Sequence, residues 1–218
     1  RTLCQELEQR QDYLQGETVE TIYLGGGTPS QLEESDFKQI FDTVYRIYPI
    51  GESPEITLEA NPDDLTQEYI DMLRNLPFNR LSMGIQTFNE TMLERRHTAR
   101  QAIEAFENCR KAGFQNISID LMYGLPGETL EIWENDLSQA VCMHPEHISA
   151  YHLIYEEGTT LWKLREEHRV KEADEDLSVN LFSRLIHRLK ENGYQHYEIS
   201  NFCQPDKYSR HNSSYWTE

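Results

Sequence analysis

No run of this 218-residue chain approaches the roughly eighteen consecutive apolar residues that a membrane-spanning helix needs. Mean hydropathy is −0.72, which excludes an integral membrane protein built on helices. Cysteine is scarce: Cys4, Cys109, Cys142 and Cys203 lie far apart and form no C-x-x-C pair. That excludes a disulfide scaffold and a zinc ribbon, and four scattered reduced thiols point to the cytoplasm. Cations are few as well. Lys and Arg total 20 against 38 Asp and Glu, a formal charge of −18. With a pI near 4.8 the chain repels phosphate backbones, so nucleic acid is not expected as a partner. No Pro/Ser linker or low-complexity segment divides the sequence, and residues 1–218 are expected to form one domain. The chain opens on Arg1 without an initiator methionine or signal segment, and ends abruptly after Tyr215-Trp216-Thr217-Glu218. A fragment of a longer protein is the expectation.

What is present is a strand–helix alternation. Short apolar runs at 21–24, 55–59, 80–83, 116–121 and 147–154 have the length and β-branched or aromatic content of strands. Between them, 35–48, 66–76, 101–112, 129–143 and 174–191 carry apolar residues at helical spacing. Ser35 or Asp36, Thr66, and Glu128 or Thr129 are expected caps, and Ala112-Gly113 a helix end. The charged stretch 164–176 is expected to be a solvated helix or connection. Near-continuous apolar strands alternating with helices imply an α/β fold with a parallel sheet.

The strand ends narrow the choice. Gly25-Gly26-Gly27-Thr28-Pro29, Glu59-Ala60-Asn61-Pro62, Gly84-Ile85-Gln86-Thr87 and Tyr123-Gly124-Leu125-Pro126-Gly127 each follow a strand. An open sheet draws its ligand to one switch point, whereas a barrel gathers all its strand ends around one mouth. Polar and glycine residues at every strand end favour a partial (β/α) barrel of five or six strands.

The triglycine turn is neither a P-loop nor a dinucleotide fingerprint, but it brings bare backbone against a ligand. Glu59 and Asp120 stand at or just inside strand ends, where a buried carboxylate needs a cation, a hydroxyl pair or an amine. A salt bridge to an arginine such as Arg80 is the structural alternative. Gln86 offers a donor and an acceptor, and an arginine of the Arg95-Arg96-His97 segment could clamp a carboxylate. Together these describe a pocket for a zwitterionic, ribose-bearing molecule. There is no serine elbow and no H-E-x-x-H. His144-Pro145-Glu146-His147 is interrupted by its proline and is not taken as a metal site. His211-Asn212-Ser213-Ser214-Tyr215-Trp216 puts an imidazole beside two large aromatics, suited to a packed loop or to an iron-bearing flat macrocycle.

In order along the chain, Thr21 to Ser30, Leu58 to Pro62, Ser82 to Phe88, Arg95 to Thr98, Asp120 to Gly127, Tyr197 to Phe202 and His211 to Trp216 match one family. They resemble the radical S-adenosylmethionine proteins related to oxygen-independent coproporphyrinogen III oxidase, and more closely their HemW-type heme chaperone branch. The resemblance implies a partial (β/α)6 TIM-like barrel, truncated at its first strand, whose mouth holds S-adenosylmethionine. Gly26, Gly27 and Thr28 would meet the methionine head, with Glu59, Gln86, Arg95 and Asp120 around the carboxylate and ribose; Arg96 competes with Arg95. His211 becomes a candidate axial ligand of heme.

The same resemblance implies a 4Fe–4S cluster held by a Cys-x-x-x-Cys-x-x-Cys loop, a triplet this chain lacks. The loop and the family's first strand are expected upstream of Arg1, and its C-terminal domain is missing too. The chain alone is therefore expected to be inactive. For the intact protein the leading expectation is a cytoplasmic heme chaperone that passes heme to a hemoprotein acceptor, free or membrane-associated. The alternative is a coproporphyrinogen III dehydrogenase, in which a 5′-deoxyadenosyl radical starts oxidative decarboxylation of propionates in porphyrin biosynthesis. A third is a barrel enzyme acting on a sugar or nucleotide without radicals.

Overall fold

The computed structural model describes residues 1–92 and 97–216. Strands β1 (Val19–Leu24), β2 (Ile50–Ala60), β3 (Arg80–Gln86), β4 (Ile117–Tyr123) and β5 (His147–His152) lie side by side in parallel. Beyond β5, the short strands β6 (Gln195–Glu198) and β7 (Asn201–Cys203) complete the order β1-β2-β3-β4-β5-β7-β6, both in antiparallel pairings. The sheet curls into a half-barrel, as the strand ends predict. It has seven strands among the described residues rather than five or six, and β7 runs against the other six. Strands of four and three residues carry no apolar run, so only the pairing of β7 with β5 and of β6 with β7 defines them.

Helices α1 (Thr2–Gln9), α2 (Glu34–Ile47), α3 (Gln67–Leu73), α4 (Ala99–Lys111), α5 (Leu130–Met143), α6 (Thr160–Glu166), α7 (Glu175–Glu191) and α8 (Arg210–Ser214) fill the connections. Thr66 and Thr129 cap α3 and α5 as expected. At α2 the cap is Glu33, in a reciprocal box with Asp36, and not Ser35 or Asp36. A carboxylate there serves as well, because the first-turn amides need only an acceptor and the helix end favours negative charge.

The strands are not continuously apolar. Leu58, Leu81, Met83, Ile119 and Ile148 point outward and are fully buried beneath the helices, against Phe37, Trp133 and Leu185. Their neighbours Thr57, Arg80, Ser82, Ser118, Asp120 and His147 have the opposite parity and face the hollow of the half-barrel. The outer face makes the core, and the inner face is left for polar chemistry. Trp133 anchors α5 to α7, its indole N–H donating to the Leu181 carbonyl at 3.0 Å. Truncating a buried side chain of this size costs about 3–5 kcal/mol.

Candidate functional site

The chain leaves β1 through Gly25, which is pressed from the side: a Cβ there would lie 2.5 Å from Tyr23 Cε1 and 2.8 Å from the Glu59 carboxylate. Gly26 and Gly27 follow at φ of +71° and +61°, with open space where their Cβ atoms would stand. Left-handed backbone facing open space is a cradle that only glycine forms without strain. Glu59, on β2, closes it. One carboxylate oxygen accepts the Gly26 N–H at 2.9 Å, and the other accepts the Tyr23 hydroxyl at 2.7 Å. Thr28 ends the turn, its carbonyl accepting the Gln31 N–H at 3.1 Å. The Ser30 hydroxyl accepts the Asn61 N–H at 3.3 Å, which ties the triglycine loop to the turn after β2.

Asp120 stands on β4 opposite Gly84 of β3 and Ser149 of β5. The Ser82 hydroxyl donates to it at 3.1 Å. Burial pushes its carboxyl up to about 6; the positive charge of Arg80 and the hydroxyls of Ser82 and Ser149 oppose the rise. Gln86 has φ +69° at a break in the β3–β4 register. Its side chain folds back over β3, with Nε2 at 3.1 Å from where a Gly84 Cβ would be. An unfavourable backbone of this kind costs about 1–2 kcal/mol and persists where the surroundings enforce it. Gly26, Gly27, Thr28, Glu59, Gln86 and Asp120 thus share the carboxyl-terminal end of β1 to β4. Arg95 and its competitor Arg96 lie outside the described residues.

His211 comes to the same place from the far end of the sequence. Its imidazole stacks on the Tyr23 ring, with centroids 4.4 Å apart and planes at 20°. Tyr215 meets it edge-on, with ring centroids 5.4 Å apart and its hydroxyl 3.4 Å from His211 Nε2. The buried Glu55 carboxylate of β2 fixes α8 from below, accepting the N–H groups of Arg210 and His211 at 3.0 Å each and the Ser209 hydroxyl at 3.3 Å. Burial lowers the His211 imidazole below its ordinary value, against the raising influence of Glu55 and Glu59.

Tyr23, Glu55 and the lining of the hollow stand beside the candidate site without being singled out by the motifs. Their signal is the period-two alternation Glu55, Thr57, Glu59 and Arg80, Ser82, Gly84. The structural alternative, a salt bridge from Glu59 or Asp120 to Arg80, is not formed: no ion pair among the described residues includes Arg80, and its Nε lacks a partner. In His144-Pro145-Glu146-His147, Glu146 pairs with Arg110 at 2.9 Å and His147 turns into the barrel. There its ring nitrogens meet the hydroxyls of Ser118 at 2.8 Å and Tyr197 at 2.7 Å.

An open glycine cradle, two carboxylates and an amide fit the ammonium and ribose hydroxyls of a nucleoside amino acid such as S-adenosylmethionine. An iron–sulfur cluster does not fit the thiols present. Cys4, Cys109, Cys142 and Cys203 stand on α1, α4, α5 and β7, and no group of three possible metal ligands forms among the described residues. Burial raises the Cys109 and Cys203 thiols to about 12 and 11.

Residues 3–140 match the Radical SAM superfamily. The chain is 37% identical over 203 residues to the heme chaperone HemW of Bacillus subtilis (strain 168), covering 91% of this chain and 54% of that protein. Against the heme chaperone HemW of Lactococcus lactis subsp. lactis (strain IL1403) the identity is again 37% over 203 residues, covering 92% and 54%. Among solved structures it is similar to HemN, the coproporphyrinogen III oxidase of Escherichia coli described as a radical SAM enzyme. That likeness has a TM-score of 0.80 at 26% identity and covers 94% of this chain and 48% of that one. The chain spans about half the length of these relatives. With its half-barrel, its glycine cradle and these matches, the chain belongs to the radical SAM superfamily, in the branch that holds HemW and HemN.

Proposed function

We propose that this protein is a cytoplasmic heme chaperone that binds S-adenosylmethionine in the barrel mouth, carries heme on His211 and passes it to a hemoprotein. The observation that carries the reading is the place of His211. Its imidazole is half-buried between Tyr23 and Tyr215, next to the glycine cradle, with Tyr215 and Trp216 exposed beside it. A neutral imidazole offers a lone pair to iron, and exposed aromatics offer a flat surface to a macrocycle. Burial favours the neutral form of the imidazole, whose Nε2 meets the Tyr215 hydroxyl at 3.4 Å. Likeness to two HemW heme chaperones supports the same reading.

In this assignment Gly26, Gly27 and Thr28 hold the methionine head and Glu59 takes its ammonium. Arg95 clamps its carboxylate, and Gln86 and Asp120 hold the ribose. S-adenosylmethionine supplies a sulfonium centre to the mouth when bound. These side chains and backbone groups orient it, and none of them supplies a nucleophile.

The second reading is oxidation of coproporphyrinogen III, favoured by the likeness to HemN. An anaerobic comparison separates the two. Heme-loaded full-length protein should deliver heme to an apo-hemoprotein, with no decarboxylated porphyrinogen formed. Decarboxylated product without heme transfer would establish the oxidase instead.

A further inference from the structure

Tyr23 touches both halves of the site at once. Its hydroxyl donates to Glu59, whose other oxygen holds the Gly26 N–H, and its ring is the platform on which His211 lies. Both contacts are closely packed, so a change at one is felt at the other. Gly25 sits so close to Tyr23 and Glu59 that a single added carbon would overlap both. On the other side, Glu55 and the pairing of Arg210 with Glu20 and the Ser53 carbonyl clamp α8 against β1 and β2. Burial, Glu59 and Asp120 all raise the Tyr23 hydroxyl, which therefore remains a protonated donor.

We propose that Tyr23 is a positioning residue common to the cofactor cradle and to His211, so that S-adenosylmethionine and heme bind interdependently through it. The inference rests on the assignment of those two ligands above. An ammonium arriving at Glu59 competes for the carboxylate lone pairs that Tyr23 and Gly26 now occupy. Tyr23 then loses its hold on Glu59, and the placement of its ring under His211 changes with that of the carboxylate it packs against. Two ligands that favour different placements of one shared side chain are coupled, and the coupling is reciprocal, typically about 5- to 150-fold in affinity.

The test is a thermodynamic cycle on the full-length protein. Heme affinity is measured from the Soret band with and without saturating S-adenosylmethionine, for the wild type and for Tyr23→Phe. The variant keeps the ring beneath His211 and loses only the hydroxyl, so charge effects acting through space cancel between the two proteins. The expected result is at least a fivefold change in heme affinity on adding S-adenosylmethionine to the wild type, reduced at least threefold in Tyr23→Phe. A second measurement needs no heme. In 13C-histidine-labelled protein the His211 ring signals should shift on adding S-adenosylmethionine, and shift markedly less in Tyr23→Phe. Independent binding in the wild type, or equal coupling in both proteins, overturns the inference while leaving the ligand assignment standing. Failure of either ligand to bind the wild type removes the assignment and the inference together.

Discussion

Glu55 and His211, 156 positions apart in sequence, are joined by a 3.0 Å hydrogen bond from the His211 amide to the Glu55 carboxylate. The same carboxylate holds the Arg210 amide and the Ser209 hydroxyl, so a five-residue helix too short to be stable alone is fixed to the sheet. Replacing Glu55 by Ala removes three charge-assisted contacts and should cost about 2–4 kcal/mol, read from chemical denaturation. Heme affinity should fall at least tenfold, because α8 no longer presents His211 to Tyr23. An unchanged heme titration in a folded Glu55→Ala protein would show that α8 does not carry the heme ligand.

Asp120 gives a pH signature. Its folded value near 6 lies above the ordinary 3.8, so between those values the folded state binds more protons than the unfolded state. Stability contributed by this group is therefore present at low pH and lost as pH rises from about 4 to about 6. Asp120→Asn mimics the protonated form. It should be more stable than the wild type by about 1–3 kcal/mol at pH 7.5, with the difference vanishing near pH 4. The same variant should bind S-adenosylmethionine more weakly, since Asn accepts less strongly from ribose hydroxyls. Equal stability at pH 7.5 would mean that Asp120 is better solvated than its surroundings imply.

The glycines separate packing from strain. Gly25→Ala drives a methyl group into Tyr23 and Glu59, and overpacking of this kind costs about 1–3 kcal/mol. Gly26→Ala meets no atom but must hold φ near +71°, at a cost of about 1–2 kcal/mol. Both should lose affinity for S-adenosylmethionine in equilibrium dialysis. Gly25→Ala should perturb the His211 ring signals more than Gly26→Ala, because Gly25 packs directly on Tyr23.

Inside the barrel, Tyr197 bridges His147 and the start of α8, meeting His147 Nε2 at 2.7 Å and accepting the Ser209 N–H at 3.3 Å. Tyr197→Phe leaves a buried imidazole nitrogen without its partner and should cost about 1–3 kcal/mol. Burial and the Arg80 charge hold His147 well below its ordinary 6.5. The unfolded state therefore takes up more protons than the folded one as pH drops below about 6.5, and His147 contributes acid lability there. Calorimetry of His147→Gln from pH 7 to 5 should show a flatter stability profile.

Glycine and polar residues pile up where a strand stops, so the strand ends and the cradle are legible in the sequence. Gly26, Glu59 and Asp120 announce themselves because a carboxylate or a triglycine at that point serves no packing purpose. Less legible is everything that depends on parity within a strand. Glu55 and Tyr23 sit among apolar neighbours, and only the curl of the sheet assigns them to the hollow. The strands β6 and β7 leave almost no local trace, since Asn201–Cys203 is ordered by pairing with β5 and Gln195–Glu198 by pairing with β7. The structural alternative for Glu59 and Asp120, a salt bridge to Arg80, does not form among the described residues: the guanidinium, rooted at the start of β3, influences Asp120 by its charge and not by an ion pair.

One titration bears on the whole account: ferric heme added to the full-length protein, wild type against His211→Ala, followed at the Soret band. Ligation by the imidazole stacked on Tyr23 predicts a shifted Soret maximum and at least a tenfold loss of affinity in the variant. An identical maximum and affinity in the two proteins would contradict it, and would take heme away from the mouth of this barrel.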